Sequence, residues 1–107
     1  MASTPKRLYG PAQPGNTTAT RYTVPALTKT VVRHIHVSNP TGGAVTLTLS
    51  VGADAAAVRL FDGYSIPAGS TYDWWGYLVI DAAEIIAAHA SAATSLTVTI
   101  NGDERTL

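Results

Sequence analysis

Apolar and polar residues alternate most strictly at Val45, Leu47, Leu49 and Val51, which are separated by Thr46, Thr48 and Ser50. Successive side chains of a strand point to opposite faces, so this segment predicts a strand with one face in a core and the other in water. The pattern returns near the end of the chain, where Leu96, Val98 and Ile100 alternate with Ser95, Thr97, Thr99 and Asn101 before Gly102. Between Thr30 and Asn39, the spacing puts Val31, Arg33, Ile35 and Val37 on one face and Val32, His34, His36 and Ser38 on the other. That β-branched run stops at Asn39-Pro40-Thr41-Gly42-Gly43, a strong turn signal. Shorter extended pieces are predicted at 21–25, closed by Pro25, and at 58–61 and 64–66 on either side of Asp62-Gly63. The stretch 72–80 is aromatic and β-branched, which predicts a strand with bulky groups on both faces. Turn signals about every 8–12 residues, with short alternating strands between them, predict an all-β fold: a single antiparallel β-sandwich of jelly-roll type.

Two segments do not follow the alternation. Asp81-Ala82-Ala83-Glu84 has capping-box spacing and leads into an Ala-rich run, so local preference favours a helix there. Residues 1–20 are mostly Pro, Gly, Thr, Ser, Asn and Gln, broken by one apolar cluster at Leu8 and Tyr9. This composition reads as an extended N-terminal arm outside the core, with 21–107 as the sandwich domain. Ordering such an arm costs about 1 kcal/mol or more of backbone entropy per residue. Contacts must offset that cost, so Leu8 and Tyr9 are expected to dock into a neighbouring subunit, with Lys6 and Arg7 pairing against acidic groups.

Composition narrows the function classes. Of 107 residues 46% are hydrophobic and 13% charged, too apolar for a disordered chain, and no apolar run is long enough to span a membrane. Seven basic residues balance seven acidic ones, so the basic footprint of a nucleic-acid binder is missing. There is no Cys, which rules out disulfides and thiolate metal sites, and a small domain without such staples gains stability from oligomerisation. The positive pair Lys6-Arg7 has no apolar stretch behind it, so no secretory leader is expected.

Candidate chemistry is sparse. His34 and His36 share one strand face, and His89 could supply a third nitrogen to a metal. The H-x-H spacing is weak without a fixed third ligand, so solvated histidines or a subunit contact are preferred and no metal or cofactor is expected. Neither a nucleophile elbow nor a phosphate-binding loop is present, and the acidic residues are scattered, so the chain is not expected to be an enzyme. The cluster Tyr72-Asp73-Trp74-Trp75-Gly76-Tyr77 holds both tryptophans. Adjacent strand residues point apart, so Trp74 and Trp75 cannot both be core. One of them, with Tyr77, is expected at a protein interface or stacked on a sugar.

Several phrases extend this reading: Arg7-Leu8-Tyr9-Gly10-Pro11, Tyr22-Thr23-Val24-Pro25-Ala26, Arg33-His34-Ile35-His36-Val37-Ser38-Asn39, Leu49-Ser50-Val51-Gly52-Ala53-Asp54, Arg59-Leu60-Phe61-Asp62-Gly63-Tyr64 and Leu96-Thr97-Val98-Thr99-Ile100-Asn101-Gly102-Asp103-Glu104. Together they resemble a family of short virion structural proteins encoded by tailed bacteriophages of actinobacteria. The phrases are strand and turn phrases, so the resemblance implies architecture more firmly than activity. It departs from the pattern at Leu27, where Gly or Asn is common. It implies a strand over 84–90, against local preference. It also implies a protein of the virion that decorates the head by binding the major capsid protein lattice, with 5–20 as a strap. A tail-associated role is the alternative within that class. From a different class comes a glycan-binding module using Trp74, Trp75 and Tyr77. Closed symmetry leads us to expect a homo-oligomer such as a trimer, with neither nucleic acid nor membrane as a partner.

Overall fold

A computed structural model describes residues 2–106, which form eight strands and no α-helix. The strands are β1 (Ala2–Ala12), β2 (Ala19–Thr23), β3 (Thr28–Ser38), β4 (Val45–Val51), β5 (Arg59–Ile66), β6 (Thr71–Ile80), β7 (Ile85–Ala90) and β8 (Thr97–Thr106), with one 3-10 turn at Ala56–Val58. They make two antiparallel four-stranded sheets, ordered β1-β8-β3-β6 and β2-β7-β4-β5. The pairs β1–β8, β2–β7, β3–β6 and β4–β5 nest inside one another, and β3–β8 and β4–β7 close the nest into two sheets. This is the expected sandwich with jelly-roll strand order.

The core lies between the sheets. From β8, Val98 and Ile100 point inward with Leu96 just before the strand; from β4, Leu47 and Leu49; from β3, Val32, Ile35 and Val37. Ile66, Ile80 and Ile86 complete the centre.

The N-terminal segment is not a free arm. β1 runs antiparallel along β8 from Ala2 opposite Thr106 to Ala12 opposite Val98, and β2 begins at Ala19, inside the range read as arm. Leu8 is buried in the chain's own core, and Lys6 pairs with Glu104 at 3.2 Å. Backbone pairing with β8 along its length holds β1, a contribution that composition does not reveal. Pro5 is tolerated because β1 is an edge strand. Gly102 makes the close fit possible: a Cβ there would lie 2.0 Å from the Val31 carbonyl oxygen and 3.2 Å from Leu8 Cδ1.

Three local readings also change. The β3 faces are interrupted by a bulge between Val32 and His34, seen against both β6 and β8. Val32 therefore turns into the core with Ile35 and Val37, while His34 and His36 lie on the opposite face. The pieces on either side of Asp62-Gly63 are one strand, β5, with those two residues bulged opposite Thr48. Thr48 and Ser50, expected in water, are buried. Their hydroxyls are used inside the protein: Thr48 Oγ1 accepts from Gly63 N at 3.1 Å, and Ser50 Oγ donates to Gly52 O at 3.1 Å.

The Ala-rich segment is strand β7, between β2 and β4, with Ile86, Ala88 and Ala90 in the core. Central placement gives its backbone partners on both sides, which outweighs the helix preference of Ala. The capping-box residues close a turn instead. Asp81 N donates to Glu84 Oε1 at 2.7 Å and Glu84 N to Asp81 O at 3.1 Å. Leu27, the departure from the family phrase, sits at φ 55°, where Gly or Asn is the easier residue.

A polar network joins the sheets at one end. The Tyr22 hydroxyl donates to Glu104 Oε2 and accepts from Thr30 Oγ1 at 2.7 Å. Burial first, then the Glu104 carboxylate, push the Tyr22 phenol up to about 12.

Candidate interaction surface on the outer face of the first sheet

Strand β6 is the edge of the β1-β8-β3-β6 sheet, and its period of two divides the aromatic cluster. Trp74 packs against the core, its ring over Gly76, where a Cβ would come within 2.6 Å of the indole. Any larger residue at 76 would force the Trp74 ring to shift. Trp75, Tyr77 and Val79 lie on the other face and are 72%, 59% and 49% exposed, an outward row of large side chains.

This row is held by neighbours across the sheet. Trp75 stacks on the His34 ring, with centroids 4.0 Å apart and planes 18° from parallel. The Arg33 and Arg105 guanidinium groups lie 5.5 and 5.9 Å from the Tyr77 ring centroid, within cation–π range. Arg33 also faces Asp103 at 3.7 Å. The bulge at Arg33 matters here, because it puts His34 opposite Trp75 and His36 opposite Asp73.

His34 and His36 converge on one carboxylate oxygen. His34 Nε2 lies 2.8 Å and His36 Nδ1 2.6 Å from Asp73 Oδ1, and Asn101 Nδ2 lies 3.2 Å from His34 Nδ1. Asn101 as donor leaves His34 with its proton on Nε2, aimed at Asp73. The His36 hydrogen bond first, then that of His34, hold the Asp73 carboxyl below the usual carboxylate range.

The residues singled out in the sequence thus divide. Trp75 and Tyr77 are brought together on this face; Trp74 is turned inward. Leu8 is core and Tyr9 packs half-buried against it, while Lys6 is tied to Glu104 and Arg7 is exposed. His89 is on β7 in the other sheet, away from His34 and His36. Sequence reasoning missed Asp73, Val79, Arg33 and Arg105 as members of this face. The alternation Asp73, Trp75, Tyr77, Val79 was the available signal for the first two.

No protein family matches the chain, and no curated protein does so. Among solved structures, the chain is similar in shape to a chain in the structure of infectious bursal disease virus Gt strain. That likeness has a TM-score of 0.41 and 11% identity, over 96% of this chain and 28% of that one. It is also similar to a pentameric capsid protein isolated from metagenomic phage sequences, at a TM-score of 0.34 and 20% identity, over 89% of this chain and 58% of that one. This chain spans less than two thirds of the length of either. Neither likeness assigns it a role.

Proposed function

We propose that the protein is a non-catalytic structural component of a virion, attached to a protein lattice through the outer face of the β1-β8-β3-β6 sheet. The observation that carries the reading is the row Trp75, Tyr77 and Val79, exposed beside Arg33 and Arg105. Trp, Tyr and Arg supply most of the binding energy at protein interfaces, and here they are oriented by neighbours before any partner arrives. Jelly rolls occur in both viral capsid and lectin domains, so the fold alone does not choose between them. The phrase-level resemblance to phage proteins supports the virion. Within it, decoration of the head is our reading, with the major capsid protein as partner and a tail-associated position as the alternative. Attachment falls to the sheet face, because β1 is occupied within its own sheet.

The test is co-sedimentation with phage particles lacking their own copy. Intact protein should occupy them, and Trp75→Ala with Tyr77→Ala should not. Aromatic-dependent retention on host cell-wall polysaccharide, with no particle binding, would instead establish a glycan-binding module. A cryo-EM map of the occupied particle then separates head from tail.

A further inference from the structure

We propose that His34, His36 and Asp73 form a surface binding site for a first-row divalent cation of the Zn2+ type. The H-x-H spacing offers two imidazoles on one strand face but leaves the third donor open. The cross-strand register supplies it: Asp73 on β6 lies opposite His36 on β3. One donor atom from each of the three residues falls within 4.8 Å of the others.

The donor set suits the ion. Two imidazole nitrogens and a carboxylate oxygen are borderline ligands that favour Zn2+ and its first-row neighbours over Ca2+ or Mg2+, which require mostly oxygen. In a tetrahedral zinc site with bonds of about 2.0–2.1 Å, neighbouring donor atoms stand about 3.3 Å apart. The His34 Nε2 and His36 Nδ1 atoms stand 2.8 and 2.6 Å from Asp73 Oδ1. Small side-chain rotations that widen these hydrogen bonds by roughly half an ångström, and bring the two imidazole nitrogens from within 4.8 Å to the same spacing, form the site. The side chains of His34, His36 and Asp73 are 18%, 39% and 40% exposed, so an ion can reach them from solvent. Three protein donors leave a fourth position for water or for a donor from a neighbouring surface.

Two further residues fix the arrangement. Trp75 stacks on His34 and limits rotation of its ring. Asn101 lies against the far nitrogen, His34 Nδ1, at 3.2 Å. When Nε2 binds metal, the His34 proton moves to Nδ1, and the Asn101 amide turns its oxygen to accept it. The His36 proton moves likewise from Nδ1 to Nε2, so neither neutral ring needs to lose its proton. This site adjoins the docking face, sharing Trp75 through its stack on His34, and its test needs no partner.

The experiment is calorimetric titration of the purified protein with ZnCl2, alongside NMR of the histidine ring nitrogens. The expected result is one Zn2+ per chain, with His34 Nε2 and His36 Nδ1 shifting on binding and the His89 nitrogens unmoved. His36→Gln and Asp73→Asn, both at exposed positions, should each weaken binding at least tenfold, and Asn101→Ala by about tenfold, as for an outer-shell partner. Thermal melts of each variant establish that it is folded. Absence of saturable binding, or binding kept by folded His36→Gln and Asp73→Asn and lost in His89→Gln, would overturn the site.

Discussion

The two sheets share one core yet present opposite outer faces. On the β1-β8-β3-β6 sheet, β6 sends Trp75, Tyr77 and Val79 into solvent, each left largely uncovered. On the β2-β7-β4-β5 sheet, Thr48 and Ser50 on β4 and Ala87 on β7, outward on the central strands, are small and buried. Their hydroxyls bond within the chain, and Thr18, Thr20, Ala53 and Asp54 gather beside Ile85 and Ala87 to line one shallow cleft. Arg59 on β5 is paired with Asp54 and Asp62, each at 2.9 Å. One face is covered by small side chains whose hydroxyls are bonded within the chain, whereas the other holds large groups in place without covering them. A surface of the second kind is suited to a partner.

Exchanging the character of the faces tests the contrast. Ser50→Phe puts a large ring into the closed face and removes a hydroxyl hydrogen bond, so it should destabilise the fold by about 3 kcal/mol in urea unfolding. Loss of less than about 1 kcal/mol would mean that the closed face is open after all. On the other sheet the opposite holds. Trp75→Ala with Tyr77→Ala should shift unfolding by no more than about 1 kcal/mol, yet lose roughly 2 kcal/mol or more of particle binding, about 30-fold or greater.

The join between the sheets should respond to alkali. The Tyr22 phenol is raised to about 12 from its ordinary 10, so the folded state favours the protonated form. Its contribution is complete below pH 10 and is lost as pH rises from 10 through 12. Tyr22→Phe should remove that step from a plot of stability against pH while lowering stability at neutral pH, because Thr30 and Glu104 lose a partner. The smallest effect should come from a chelator. The core is apolar and His34, His36 and Asp73 lie outside it, so EDTA should leave the melting temperature within about 2 °C.

Alternation made β4 and β8 readable, because their apolar residues follow period two without interruption, although β4 buries Thr48 and Ser50 on its other face as well. It failed at β3, since a bulge is set by the match to β6 and β8 and leaves no mark in the strand's own pattern. It failed for β1 for another reason. That strand contributes little apolar surface beyond Leu8 and Tyr9 and is held largely by backbone pairing, to which composition is blind. Strand β7 came from the phrase resemblance, against its own Ala content. The candidate face was half legible: period two required Trp74 and Trp75 to part, but the register that puts Trp74 opposite core residue Ile35 decides which turns inward. Likewise the histidine pair was visible, whereas its third member depended on register across strands, which put Asp73 there and His89 elsewhere.

The nested pairing also has a kinetic side. Only β4 and β5 are both consecutive in the chain and paired; β3 must wait for β6, β2 for β7, and β1 for β8 at the far end. On a ribosome β1 therefore emerges well before its mate β8 and waits for it unpaired. Such long-range closure places folding in the slow range for a domain of this size, roughly milliseconds to seconds. Assembly should begin at the β4–β5 hairpin and proceed outward, so mutations there should slow folding. Mutations in β1, such as Leu8→Ala, should instead speed unfolding, and stopped-flow measurement of both rates distinguishes the two cases. Until β8 arrives, the β3 edge that it will pair with stays open and β1 has no partner, so the nascent domain is most adhesive just before β8 joins it.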